Sequence, residues 1–236
     1  MSLFSLILIS YFATAQTVST ATLYDLKSAQ TKKLYILEVS LVGDELLRSE
    51  AVYKDLQGNT VVKERGLVEN AELKSYEIER PQTSEKGRFF VEGDKIYFEY
   101  VGANGKKKTS EEKRRGLLLS TANFNPVVKA HWQELASGQE LDVRFAVWDR
   151  LETVGFTLKK MGDQNKDSDK WMELRMKPTS FVIAALVDPI YLWYSHESKK
   201  LMLMKGRVAP KIQVGDRWKD LDAEVVYTYG QQAVSK

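Results

Sequence analysis

From Leu34 onward, apolar and polar residues alternate with a period of two, which sends neighbouring side chains to opposite faces of a strand. Within residues 34–42, Tyr35, Leu37, Val39 and Leu41 share one face, with Glu38 and Ser40 opposite. Residues 141–150 repeat the pattern: Leu141, Val143, Phe145 and Val147 point one way, and Asp142, Arg144 and Arg150 the other. One apolar and one polar face is the signature of an antiparallel strand lying between a core and water. Residues 48–54, 60–68, 88–91, 95–101, 153–161, 171–176, 190–195, 201–208 and 223–229 read as further strands. Turn residues separate them: Gly43-Asp44, Gly58-Asn59 and the short link 196–199. Asn104-Gly105 is expected in a type I′ hairpin turn. Residues 79–86 and 162–170 read as loops. This spacing belongs to a meander, a sandwich or a barrel.

One segment carries a helical period instead. Asn125-Pro126 supplies an N-cap and a first helical residue, and Gly138 a left-handed stop. Val128, Trp132 and Leu135 fall on one face, with Val127 and His131 beside it. A helix of about three turns over 125–138 is expected to lay this stripe on the sheet. A second, short helix is expected at 180–186, before Asp188-Pro189. The fold class is therefore mainly β: a single strongly curved antiparallel sheet or open half-barrel, with one helix packed on it. No stretch has the composition of an interdomain linker, so 16–236 reads as a single β domain.

The N-terminus adds an address. Residues 3–12 are uncharged and mostly apolar, and Ala13-Thr14-Ala15 follows as a small-x-small cleavage pattern. The run is well short of the roughly 20 apolar residues that cross a bilayer. Residues 1–15 are expected to be a signal peptide, with Gln16 first in a periplasmic or secreted chain that does not span the membrane. The sequence has no cysteine, which removes disulfides, thiolate chemistry and the acylated cysteine of a lipobox. With 43% hydrophobic residues a core is affordable without disulfides. A net charge of +3 gives little pull toward nucleic acid, which is not an expected partner.

Chemistry is sparse. His131 and His196 are the only histidines, one in the helix and one in a turn. No nucleophile elbow, zinc motif or phosphate loop occurs, so no catalytic residue, metal or cofactor is expected and the chain is read as a non-enzyme. Asp163, Asn165, Asp167 and Asp169 open like a calcium loop. Ser168 stands where such a loop has glycine and Leu174 where it has glutamate, so a solvated hairpin is expected. The basic clusters 106–108 and 113–115 read as the outward face of strands. Trp132, Phe145, Tyr191 and Trp193 are the candidate ligand-binding residues, as aromatic walls of a space left between the curved sheet and its helix.

Two stretches carry a resemblance. Phe124-Asn125-Pro126-Val127-Val128 with Trp132, Leu135 and Gly138 is one. Leu186-Val187-Asp188-Pro189-Ile190-Tyr191-Leu192-Trp193-Tyr194, followed by Leu201 and Gly206-Arg207, is the other. Together they resemble bacterial periplasmic domains of unknown function with one strongly curved antiparallel sheet. Those are similar to the lipoprotein-carrier and lipoprotein-receptor proteins of outer-membrane sorting. The resemblance implies a half-barrel that holds an acyl chain or peptide. The expected function is a soluble periplasmic protein that binds an apolar, acyl or lipid-like ligand or an envelope protein. The alternatives are a structural or assembly factor of the cell envelope and a hydrolase with an unrecognised site.

Overall fold

The computed structural model describes residues 16–43, 46–166, 168–185 and 187–230; the expected signal peptide, 1–15, lies outside them. The chain begins with eight strands: β1 (Gln16–Asp25), β2 (Lys33–Val42), β3 (Leu46–Lys54), β4 (Thr60–Glu69), β5 (Glu72–Arg80), β6 (Glu85–Glu92), β7 (Lys95–Val101) and β8 (Lys107–Lys113). A short β9 (Leu117–Leu119) and the helices α1 (Phe124–Ala130) and α2 (Trp132–Ala136) follow. The second half runs through β10 (Leu141–Val147), β11 (Glu152–Lys166), β12 (Asp169–Pro178), α3 (Phe181–Ala184), β13 (Ile190–Ser195), β14 (Leu201–Val214) and β15 (Arg217–Tyr229). All 15 strands form one sheet in the order β8-β7-β6-β5-β4-β3-β2-β1-β15-β14-β13-β12-β11-β10-β9. Every pairing is antiparallel except β9 with β10. The chain therefore starts in the middle of the sheet, meanders to one edge, passes to the opposite edge within residues 114–116, and meanders back until β15 pairs with β1.

So short a link between opposite edges is possible only if the sheet is rolled. It is not closed into a barrel. The edges meet through side chains instead: Ser110 Oγ donates to the Leu151 carbonyl, and Glu112 accepts from the Thr153 amide at 3.2 Å. The β9–β10 edge tucks inside the other half. Val143 packs in one apolar cluster with α1, α2 and β11–β13, while Leu118, Ala146 and Trp148 pack with Phe89, Ile96 and Phe98 in a second. The face of β10 carrying Arg144 and Ala146 is thus covered, where the alternation predicts a wet one. Ala146 is buried and Arg144 turns onto Thr153. Trp148, just beyond β10, lies on the backbone of Gly87, where a Cβ would overlap its ring, with the Arg80 guanidinium 4.8 Å from the ring centre. The outer face of β2–β8 carries cross-strand ion pairs, among them Lys54–Glu38, Arg65–Glu50 and Arg88–Glu99.

Several local expectations are corrected. Asn104-Gly105 is not a type I′ turn, which needs two positive φ angles. Gly105 alone has one, in a three-residue loop closed by Gly102 N–H to the Lys106 carbonyl at 3.1 Å. The loop expected at 79–86 is reduced to a 3-10 turn, Pro81–Thr83, between β5 and β6. The expected single helix is kinked at His131 into α1 and α2, although i→i−4 hydrogen bonds run past the break. Its N-cap is Asn123 rather than Asn125; Pro126 is accommodated within the first turn, whose amides need no intrahelical acceptor. Gly138 ends the helical segment with φ of +91°. The short helix near 180 is α3, which leaves Phe181 and Val182 exposed. Residues 162–166 continue β11 as strand, and Lys166 pairs with Asp169 in a hairpin.

Candidate functional site

The roll encloses a cavity of about 470 Å³, within the size range of small-molecule sites. Its floor is the inner face of the central strands, including Leu37, Val39, Leu192, Met204 and Val225. Phe124, Pro126 and Lys129 of α1 and the preceding residues Thr121 and Ala122 form its roof. The curvature of the sheet creates this space: the α1–α2 stripe packs toward β10–β13, through Val127, Val128, Trp132 and Leu135, and leaves the floor beneath β1–β3 and β14–β15 uncovered.

The roof is fastened by buried polar groups. Asn123, fully buried, accepts from the Ser120 amide at 2.8 Å and donates to the Leu118 and Ala71 carbonyls at 2.9 and 3.1 Å. Thr121 donates to Glu64 of β4 at 3.1 Å. Ala122 rests on Gly66, where any Cβ would overlap its own. Glu64 is 4% exposed and its Oε1 has no hydrogen-bond partner, so burial pushes its carboxyl up to about 7 against the weaker pull of Tyr76, Thr121 and Arg80. Tyr194, also fully buried, donates to Asn125 Oδ1 at 2.9 Å and ties β13 to α1.

The cavity has two dissimilar ends. Near Val208, the Gln82 side chain accepts from the Lys211 amide at 2.8 Å and donates to its carbonyl at 3.1 Å, and Tyr35 donates to the same carbonyl at 2.8 Å. These bonds bind the Pro81–Thr83 turn to the bulge in β14. At the other end Lys129 and Lys200 line the opening beside Tyr229. Partial burial and the neighbouring Lys200 and Lys199 lower the Lys129 ammonium below the ordinary lysine value.

The four aromatic residues singled out in the sequence separate. Phe145 lines the cavity. Trp132 is 6% exposed and packs edge-on against Tyr194 and His196 within the apolar cluster. Tyr191 and Trp193 alternate with the cavity-lining Ile190 and Leu192, so the pleat turns them to the opposite face. There they stack at 6.2 Å, with Lys205 over Trp193. The lysines at the mouth, which the sequence reading did not single out, come from α1 and from the residue preceding β14. A His–carboxylate pair does exist, His196 Nε2 to Asp163 Oδ1 at 2.9 Å, but outside the cavity. The other Asp163 oxygen holds Lys160 and Lys170; against partial burial, which raises it, His196 and these two lysines keep the carboxyl below the usual range. Among the described residues, no group of three or more potential metal ligands occurs and no helix is long and apolar enough to cross a membrane.

No protein-family model and no curated protein matches the chain. Three solved chains are similar to it, among them two bacterial proteins. One is a β-barrel-like protein of domain of unknown function DUF1849 from Brucella abortus, at 11% identity and a TM-score of 0.47, covering 92% of this chain and 100% of the other. The second is a DUF1329 family protein from Desulfovibrio piger, at 9% identity and a TM-score of 0.27, covering 94% and 89%.

Proposed function

We propose that the protein is a soluble, non-enzymatic binding protein of the cell envelope that holds an apolar, acyl- or lipid-like ligand inside its rolled sheet. The observation that carries this reading is the cavity itself: about 470 Å³ of space, floored by aliphatic side chains, beside two apolar clusters of buried residues. Natural interiors are packed densely, so an apolar void of this size costs stability unless something occupies it. The N-terminal apolar run and cleavage pattern support export, and the resemblance to lipoprotein carriers agrees with an acyl ligand. The assembly-factor alternative would need an open strand edge. Here β8 carries Lys107, Lys108 and Lys113 and its neighbours across the seam, while β9 is only three residues long. Native mass spectrometry of protein purified from its own envelope should find a bound lipid-like mass, released on denaturation. Protein that arrives without any ligand, and whose melting temperature no acyl compound raises, would remove the basis of this reading.

A further inference from the structure

Resting on that reading, we propose that the ligand is an amphiphile with an anionic head, which Lys129 and Lys200 hold at the cavity mouth while its hydrocarbon tail lies inward along β14. Both lysines line the cavity, and Lys199 is adjacent. Among the described residues, none of the three has a carboxylate within ion-pair distance, whereas Lys211, Lys205 and Arg207 farther along β14 all do. Arg207, which also lines the cavity, is held by Asp222 at 2.9 Å and by Asp220 at 2.6 Å. The two ends therefore differ in what they offer: the Arg207 end is neutralised, and the lysine end presents positive charge with no carboxylate among the described residues to balance it. Like charges gathered beside apolar surface repel one another and lose hydration, as the lowered Lys129 reflects. A bound anion reverses both costs.

Two of the three cations, Lys199 and Lys200, are also held in place before any ligand arrives. The Lys200 ammonium lies 4.8 Å from the centre of the Tyr229 ring, and the Lys199 ammonium 5.6 Å from that of Trp132. Tyr229 is itself fixed by donation to the Leu201 carbonyl at 2.7 Å. Side chains positioned in this way lose less entropy on binding. From Lys200 to Arg207 the strand advances roughly 20 Å, at about 3.3 Å per residue. Leu201, Met204 and Val208 line that path, an apolar row that suits an extended hydrocarbon chain.

The test compares palmitate, hexadecanol and palmitoyl lysophosphatidate, each titrated below its aggregation concentration into the mature protein and into a Lys129→Gln/Lys200→Gln variant. Lys129 is exposed and Lys200 half-buried against the Tyr229 ring, and neither has an ion-pair partner among the described residues, so the variant should stay folded, as a melting curve taken before titration would show. Palmitate should bind wild type about tenfold or more tightly than hexadecanol, the difference that one charge-assisted contact supplies. The variant should lose this preference and keep its affinity for hexadecanol. Stronger binding of lysophosphatidate than of palmitate assigns a phosphate head, and the reverse assigns a carboxylate. Equal binding of palmitate and hexadecanol to wild type overturns the anionic head and leaves the apolar cavity standing, as does a preference that survives in the variant. Binding of none of the three probes removes the ligand-binding reading itself.

Discussion

Glu64 shows how far one buried residue can reach. Its carboxyl, raised to about 7 from 4.5 by burial, receives the Thr121 hydroxyl and so pins the cavity roof to β4. Below pH 4.5 both folded and unfolded chains hold the proton. Between 4.5 and 7 only the folded chain holds it, so this contribution to stability drains away as pH rises, by up to about 3 kcal/mol. Glu64→Gln should flatten that slope, as denaturant titrations at pH 4.5, 6 and 7.5 would show; the other carboxylates cancel in the comparison. Trp132→Ala should cost about 3 to 5 kcal/mol, because the ring fills the cluster around Tyr194. A Trp132→Ala protein as stable as the parent in urea would contradict this packing. Only part of the site was legible at this scale. Residues 190–194 are apolar or aromatic on both faces, so periodicity could not tell Ile190 and Leu192, which line the cavity, from Tyr191 and Trp193, which do not. Lys129 and Lys200 are 71 positions apart and meet only through the tertiary fold.

Among the elements, some strands were readable to their ends: residues 95–101 and 190–195 are β7 and β13. β8 was read only as the basic outward face of strands, without bounds, because an edge strand with Lys107, Lys108 and Lys113 has no apolar face to delimit it. β10 was legible as a strand, and Ala146 was the sign that its second face is also covered, here by the other edge of the sheet. Nothing local announces such an overlap. The Pro81–Thr83 turn depends on Gln82, whose amide serves as donor and acceptor to the Lys211 backbone. Gln82→Ala should leave the part-buried Lys211 amide unpaired, while Tyr35 still serves the carbonyl, and cost about 1 to 3 kcal/mol in chemical denaturation. Unchanged stability would mean that water replaces the amide without loss.

For the whole molecule, the proposed export predicts that N-terminal sequencing of envelope protein begins at Gln16 or within a few residues of it; intact Met1 in the cytosol would refute the signal peptide. The central pairing has a further consequence. Leu23 faces Val225 across β1 and β15, so the first strand made waits for the last before its second edge is satisfied. Such long-range pairing makes folding slow and leaves a half-sheet exposed to misassembly during synthesis. The same topology means that residues 114–116 interrupt an otherwise sequential meander. A circular permutant that starts at Gly116, with Gly230 joined to Gln16 by a short linker, would synthesise its strands in their spatial order, from β9 to β8. It should refold faster than the parent by stopped-flow fluorescence and still carry the same cavity, since no hydrogen-bonded strand pair is cut.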